Sequence, residues 1–239
     1  MKMRDIGAYV LDACFPNICD CCGNFMAANA YVCPECEAKL RTLRTDYQLW
    51  LANYNGAKPL PWQHLITVYA YEDAAKAGVL RLKQGSRNFG AHLAEKLAVL
   101  AREQLPVHAI DFVTWVPLSA VRRRECYYGH SEYLARRLAK QLDLPVKGGF
   151  LTEEHTEQRQ HQQTAEQRAM FVERFHATKK RCEGQTILLC DDILTTGSTL
   201  KRCTELLLQS GAKTVYAAVP LCTDRYRERN VKASDTDRT

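Results

Sequence analysis

Thr186-Ile187-Leu188-Leu189-Cys190-Asp191-Asp192-Ile193-Leu194-Thr195-Thr196-Gly197-Ser198-Thr199 is the stretch on which the reading of this chain turns. Residues 186–190 form the apolar, β-branched run expected of a strand buried on both faces of a sheet. Two carboxylates, Asp191 and Asp192, end it, and a turn rich in hydroxyls opens a helix. In that helix Leu200, Cys203, Leu206 and Leu207 recur at helical spacing, and Gly211 caps it. In open α/β sheets, ligands sit beyond the carboxyl ends of the strands, where the acid pair falls. The backbone N–H groups of the turn, with the hydroxyls of Thr195, Thr196, Ser198 and Thr199, make an anion site at a helix N-terminus. Gly197 admits close backbone approach there. Two acids beside a phosphate would repel it unless they face a neutral polyol or a Mg²⁺ ion. A sugar phosphate is the simplest ligand that needs both halves of the motif.

Outward from this motif the chain alternates strands and helices. Ile66–Tyr71 reads as a strand, and Phe89, Leu93, Leu97 and Leu100 mark an amphipathic helix over about 89–105. Ile110–Val116 is a strand stopped by Pro117. Leu134, Leu138 and Leu142 mark a helix ending before Pro145, and Thr214–Val219 is a further strand. Such alternation predicts an α/β fold, a parallel sheet flanked by helices. Residues 152–170, rich in Gln, Glu, His and Arg, read as a mobile loop or an exposed helix. The tail, 223–239, is charged and reads as flexible.

The first 45 residues differ in kind. Of 11 cysteines, Cys14, Cys19, Cys21, Cys22, Cys33 and Cys36 lie here. Cys19-x2-Cys22 and Cys33-x2-Cys36 have the spacing of a four-cysteine zinc knuckle, each pair chelating from a tight turn, with Gly23 suiting the first. Cys14 and Cys21 are alternative ligands. Four thiolates predict a closed, structural site whose metal supplies the folding energy that so small a unit lacks. The organisation expected is a knuckle at 1–45, a linker at 46–64, the α/β domain at 65–222 and the tail. Cys126, Cys182, Cys190, Cys203 and Cys222 are scattered, as reduced cysteines packed like small hydrophobes would be.

In the 239-residue chain 46% of residues are hydrophobic and 25% charged, ordinary for a globular protein, and the net charge of +6 suits phosphate ligands without naming one. No run reaches the roughly 18 apolar residues of a membrane span. The N-terminus lacks the form of a signal peptide, so a cytoplasmic location is expected.

Ile187–Thr199 resembles, at every position, the signature by which type I phosphoribosyltransferases bind 5-phosphoribosyl-1-pyrophosphate (PRPP). The resemblance implies that Asp191 and Asp192 hold the ribose hydroxyls and serve catalysis. It also implies that Ile193, Leu194, Thr195, Thr196, Gly197, Ser198 and Thr199 complete the PRPP site, with Thr195–Thr199 around the 5-phosphate. Val116-Pro117-Leu118-Ser119 lies where that family carries its pyrophosphate loop, followed by Arg122, Arg123 and Arg124. Joined to a knuckle, the domain resembles the ComF family, associated with competence and the uptake of transforming DNA. Phe15-Pro16, Cys33-Pro34-Glu35-Cys36, Arg81-Leu82-Lys83, Trp115–Leu118, Arg122–Arg124, Gln160, Ala165 and Arg168 carry that likeness. One departure is Cys126-Tyr127-Tyr128-Gly129-His130, where the family usually runs Arg-Gly-aromatic-Asn-Gln; it predicts weaker binding or lost turnover.

The function the resemblance implies is that of a ComF-like protein that binds PRPP with Mg²⁺, carries a structural zinc and takes part in DNA uptake. The alternative is an active phosphoribosyltransferase of nucleotide metabolism with an unidentified base or amine acceptor. Arg159 and Arg168 are candidates for a lid over the site. Single-stranded DNA is a possible partner through Arg122–Arg124, Tyr127 and Tyr128, alongside proteins of the uptake machinery.

Overall fold

The structure, a computed structural model, describes residues 17–26, 30–43, 60–125, 129–154 and 173–223. Cys14, Phe15-Pro16, residues 44–45 of the expected knuckle and 46–59 of the expected linker, Cys126–Tyr128, Arg159, Gln160, Ala165, Arg168 and the tail beyond 223 lie outside these residues, as does the side chain of Arg122.

At the centre is a parallel sheet of β1 (Leu65–Ile66), β8 (Thr214–Ala218), β6 (Thr186–Cys190) and β3 (Phe112–Trp115), in that spatial order. β6 pairs β8 from Thr186↔Thr214 to Cys190↔Ala218, and β3 from Phe112↔Ile187 to Trp115↔Cys190. Its side chains alternate between two cores, Leu188 and Cys190 in one, Ile187 and Leu189 in the other. Because both faces are covered, the strand reads as an unbroken apolar run.

Three strands break and resume. β1 continues as β2 (Tyr69–Ala70), β8 as β9 (Leu221–Cys222) and β6 as β7 (Ile193–Leu194); the continuations form their own parallel sheet, β2-β9-β7. The break falls at Thr67-Val68, at Val219-Pro220 and at Asp191-Asp192. Pro220 has no N–H to donate, and its carbonyl accepts from both Val68 and Tyr69 at 3.1 and 3.0 Å, so the ladder cannot run straight through. The single strand expected at Ile66–Tyr71 is therefore two short strands in two sheets. Asp191 and Asp192 occupy the irregular step between β6 and β7.

On one face, α3 (Asn88–Gln104) packs on α5 (His130–Leu142) through Phe89, Leu93, Leu97, Leu134 and Leu138. On the other, α6 (Ser198–Gln209) buries Leu200, Cys203, Leu206 and Leu207. The helix α2 (Asp73–Lys83) was not legible as a stripe, because its buried face is Ala75, Gly78, Val79 and Leu82. Gly78 is required there: a Cβ would lie 2.6 Å from the Phe89 ring. α4 (Ala120–Glu125) is a short helix after β3.

Part of the segment read as a loop or exposed helix is strand: β4 (Leu151–Glu153) pairs antiparallel with β5 (Phe175–Ala177), Leu151↔Ala177 to Glu153↔Phe175. Glu153, expected to be solvated, is buried. At the end of the stretch read as linker, Trp62 is buried, Gln63 N–H donates to Val215 and the His64 carbonyl accepts from Ala217. Cys182, Cys190, Cys203 and Cys222 are buried, as small hydrophobes are. Among the described residues no helix is long and apolar enough to cross a membrane.

Candidate functional site

The step between β6 and β7 fixes the acid pair. Asp191 N–H donates to Ala218 O at 3.2 Å, while Asp191 Oδ1 accepts from the Asp192 N–H and from Ser131 Oγ, each at 3.0 Å. Asp192 Oδ1 accepts the N–H of Ile193 at 2.9 Å. Burial, and then the neighbouring Asp192 carboxylate, push the Asp191 carboxyl up to about 8, against the hydrogen bonds from Asp192 N–H and Ser131. Taking a charge out of water beside a like charge favours the neutral acid.

Beyond β7 the chain turns through Thr195 and Thr196 to Gly197, which precedes α6 in the left-handed region at φ 78°. A residue with a Cβ is strained there, which is why this position is glycine. The hydroxyls of Thr196 and Ser198 lie 3.0 Å apart, and Ser198 N–H reaches Thr196 Oγ1 at 3.4 Å. Thr195 and Ser198 are exposed and Thr196 and Thr199 half-buried, so hydroxyls line an open turn. Leu194 differs from the rest: its side chain is buried in the core, leaving only its backbone for a ligand.

A cleft of 300 Å³ joins this turn to the loop after β3. Its lining includes Lys83, Pro117, Leu118, His130, Ser131, Glu153, Arg174, Asp191, Asp192 and Thr199. The two loops singled out in the sequence thus face one space. Val116 is tied to β6 by its N–H to Cys190 O at 2.9 Å, and Ser119 starts α4 by accepting from Arg123 N–H at 2.9 Å. Ser131, Glu153 and Arg174 escaped the sequence reading, and His130 entered it only within the departure at 126–130. No local motif marks them; only the packing of α5 and the β4–β5 pair against the sheet brings them here. Arg123 and Arg124 are exposed on α4. A larger hollow of 460 Å³ between α1 (Pro34–Lys39), β1 and α3 is lined by none of the predicted site residues.

The Sγ atoms of Cys19, Cys22, Cys33 and Cys36 all lie within 4.8 Å of one another, so these four, without Cys21, form a group that can hold a metal ion. Tetrahedral zinc with bonds of about 2.3 Å places thiolate sulfurs about 3.8 Å apart, and Cys22 Sγ and Cys33 Sγ are 3.7 Å apart. The donor set therefore fits zinc. Gly23, at φ 81°, closes the first chelating turn. The second pair departs from the expected tight turn: Cys33 is the N-cap of α1, Pro34 its first residue, and Cys36 lies within it. Proline at that position gives up only an N–H that a helix start leaves unpaired anyway. Burial raises the Cys19 thiol, but the backbone N–H groups of Cys33, Cys21 and Cys22 outweigh it and bring it down to about 7. Burial pushes Cys21 up to about 12, and its sulfur is not among the four that converge.

The knuckle is built into the domain. Asp20, between two of the cysteines, is buried and accepts the N–H of Phe89 at 2.7 Å and the hydroxyl of Ser86 at 2.6 Å, capping α3 from outside. Glu37 of α1 pairs with Lys96 at 2.6 Å and His92 at 3.0 Å, and Arg41 pairs with Glu72 at 2.6 Å. Cys19, Val32, Cys36 and Leu40 belong to the same core as Phe89 and Leu93.

Residues 129–238 match the phosphoribosyl transferase domain family. The chain is similar to "DNA utilization protein YhgH" of Salmonella typhimurium, 27% identical over 83% of this chain and 87% of that one. It is also similar to "Competence protein F" of Haemophilus influenzae, 22% identical over 82% of this chain and 92% of that one. These relatives bear out the ComF resemblance read from the sequence. Among solved structures, adenine phosphoribosyltransferase from Saccharomyces cerevisiae is 15% identical, covering 64% of this chain and 77% of that chain with a TM-score of 0.40.

Proposed function

We propose that this protein, a phosphoribosyltransferase-type α/β domain bearing a four-cysteine knuckle, binds PRPP with Mg²⁺ and serves the handling of incoming DNA. The observation that carries the ligand is the shared cleft: the acid pair at the β6–β7 step, the hydroxyl turn before α6 and the loop after β3 all line it or adjoin it. Asp191 and Asp192 face a ribose, Thr195–Thr199 hold the 5-phosphate and Val116–Ser119 meet the pyrophosphate. Lys83 and Arg174 add positive charge to the same space. Mg²⁺ bound with the ligand would neutralise its pyrophosphate. The role in DNA handling is supported by the names of the relatives, "DNA utilization protein YhgH" and "Competence protein F". The four thiols hold zinc in a structural role, since no ligand position is left open.

Isothermal titration of PRPP with Mg²⁺ tests the reading. The wild type should bind, and the double variant Asp191→Asn/Asp192→Asn should lose at least tenfold in affinity, the scale of a hydrogen-bonded charge taken from a ligand (about 1.5–3 kcal/mol). A folded, zinc-loaded wild type that shows no heat of binding would overturn it.

A further inference from the structure

Glu153 ends β4, and its side chain is only 1% exposed although it lines the cleft. Its two oxygens have separate partners. Oε2 accepts the backbone N–H of Ser119, in the loop after β3, and Oε1 pairs with Arg174 Nη2 at 2.8 Å across the β4–β5 pair. The Arg174 side chain is itself 11% exposed and lines the same cleft. A carboxylate buried to this degree is tolerated only when its charge is matched and hydrogen-bonded. The partners Glu153 has found are a guanidinium and a loop N–H, the pair of donors that suits a phosphoryl oxygen.

We propose that Glu153 is an internal stand-in for the ligand's pyrophosphate, occupying an anion site made by Ser119 N–H and Arg174 that an incoming diphosphate must take from it. The inference rests on the reading of 191–199 as a sugar-phosphate site and adds a residue that tunes it. With no ligand, the carboxylate matches the charge of Arg174 and accepts from the loop N–H of Ser119. With ligand, the same carboxylate competes with the diphosphate and repels it. Affinity is thereby set low for the diphosphate end and left untouched for the 5-phosphate end.

Glu153→Gln removes the charge while its amide oxygen still accepts from Ser119. Inorganic pyrophosphate and PRPP should then bind about tenfold more tightly than to wild type, the low end of what one charge-assisted hydrogen bond contributes. Ribose 5-phosphate, which lacks the diphosphate, should bind both proteins equally. Adding Arg174→Gln should cancel the gain. Unchanged or weaker pyrophosphate binding to Glu153→Gln, with ribose 5-phosphate binding intact, would show that Glu153 is only a brace and refute this inference alone. If ribose 5-phosphate binds neither protein, the reading of 191–199 fails and this inference falls with it. A measurement on the wild type keeps the question open to test should the variant not fold. The Ser119 amide, in protein labelled with ¹⁵N-serine, should shift on adding pyrophosphate and not on adding ribose 5-phosphate; no shift at saturating pyrophosphate would overturn the proposal.

Discussion

Asp191→Asn should make the protein more stable. The wild-type carboxyl is pushed up to about 8 from its ordinary value of 3.8, mainly by burial and then by Asp192. Between those values the folded chain holds a proton that the unfolded chain has released. Stability therefore falls as pH rises through that window, by at most about 1.4 kcal/mol per unit, which sets a ceiling of about 4 kcal/mol at pH 7. Asp191 keeps some contact with solvent, which screens part of this, so about 2 kcal/mol is the expected gain. The amide retains the geometry, because Ser131 Oγ and Asp192 N–H both donate to Oδ1, an oxygen that asparagine also presents. For a chain of this size about 2 kcal/mol corresponds to about 4–8 °C in melting temperature. Paired melting curves of zinc-loaded wild type and variant between pH 6 and 8.5 provide the assay, since any effect of pH on the metal is common to both. The gap should widen up to about pH 8 and then level off. A variant no more stable than wild type at pH 8, or a gap that does not change with pH, would show that the acid pair is not held at a cost to the fold.

Three further outcomes are expected. Cys36→Ser should lose the metal, read as zinc per chain by atomic absorption, and should lower the melting temperature; chelation of the wild type should do the same, because metal affinity is here folding energy. Asp20→Ala should leave zinc content unchanged and still destabilise by about 1–2 kcal/mol, since it strips an outside cap from α3 without touching a thiol; equal melting curves would refute the cap. Gly197→Ala should cost about 1–2 kcal/mol for a Cβ in the left-handed region and weaken ribose 5-phosphate binding; unimpaired binding would mean the turn does not approach the phosphate.

The sequence by itself determined the elements whose chemistry is local. An apolar run with a residue on each core, Ile187 to Cys190, can only be a doubly buried strand, and it is. Leu134, Leu138 and Leu142 lie on one helical face and on one core. The acid pair, the glycine turn and the cysteine spacing were legible for the same reason: each depends on neighbours within a few residues. Helix α2 was not, because its packing relies on small residues that let Phe89 come close, which leaves no large apolar stripe. Nor was the break of Ile66–Tyr71 into two strands, which is imposed by Pro220 across the ladder.

Only the tertiary structure decided what surrounds the acid pair. Ser131 lies 60 positions from Asp191, and Glu153 lies 34 from Ser119, yet each pair is hydrogen-bonded. Side chains so distant in sequence meet because parallel strands deliver their carboxyl ends to one edge, and the segments that follow them crowd around it. The cysteines followed the same logic: spacing proposed four, and the convergence of Cys19, Cys22, Cys33 and Cys36, without Cys21, is a property of the folded knuckle.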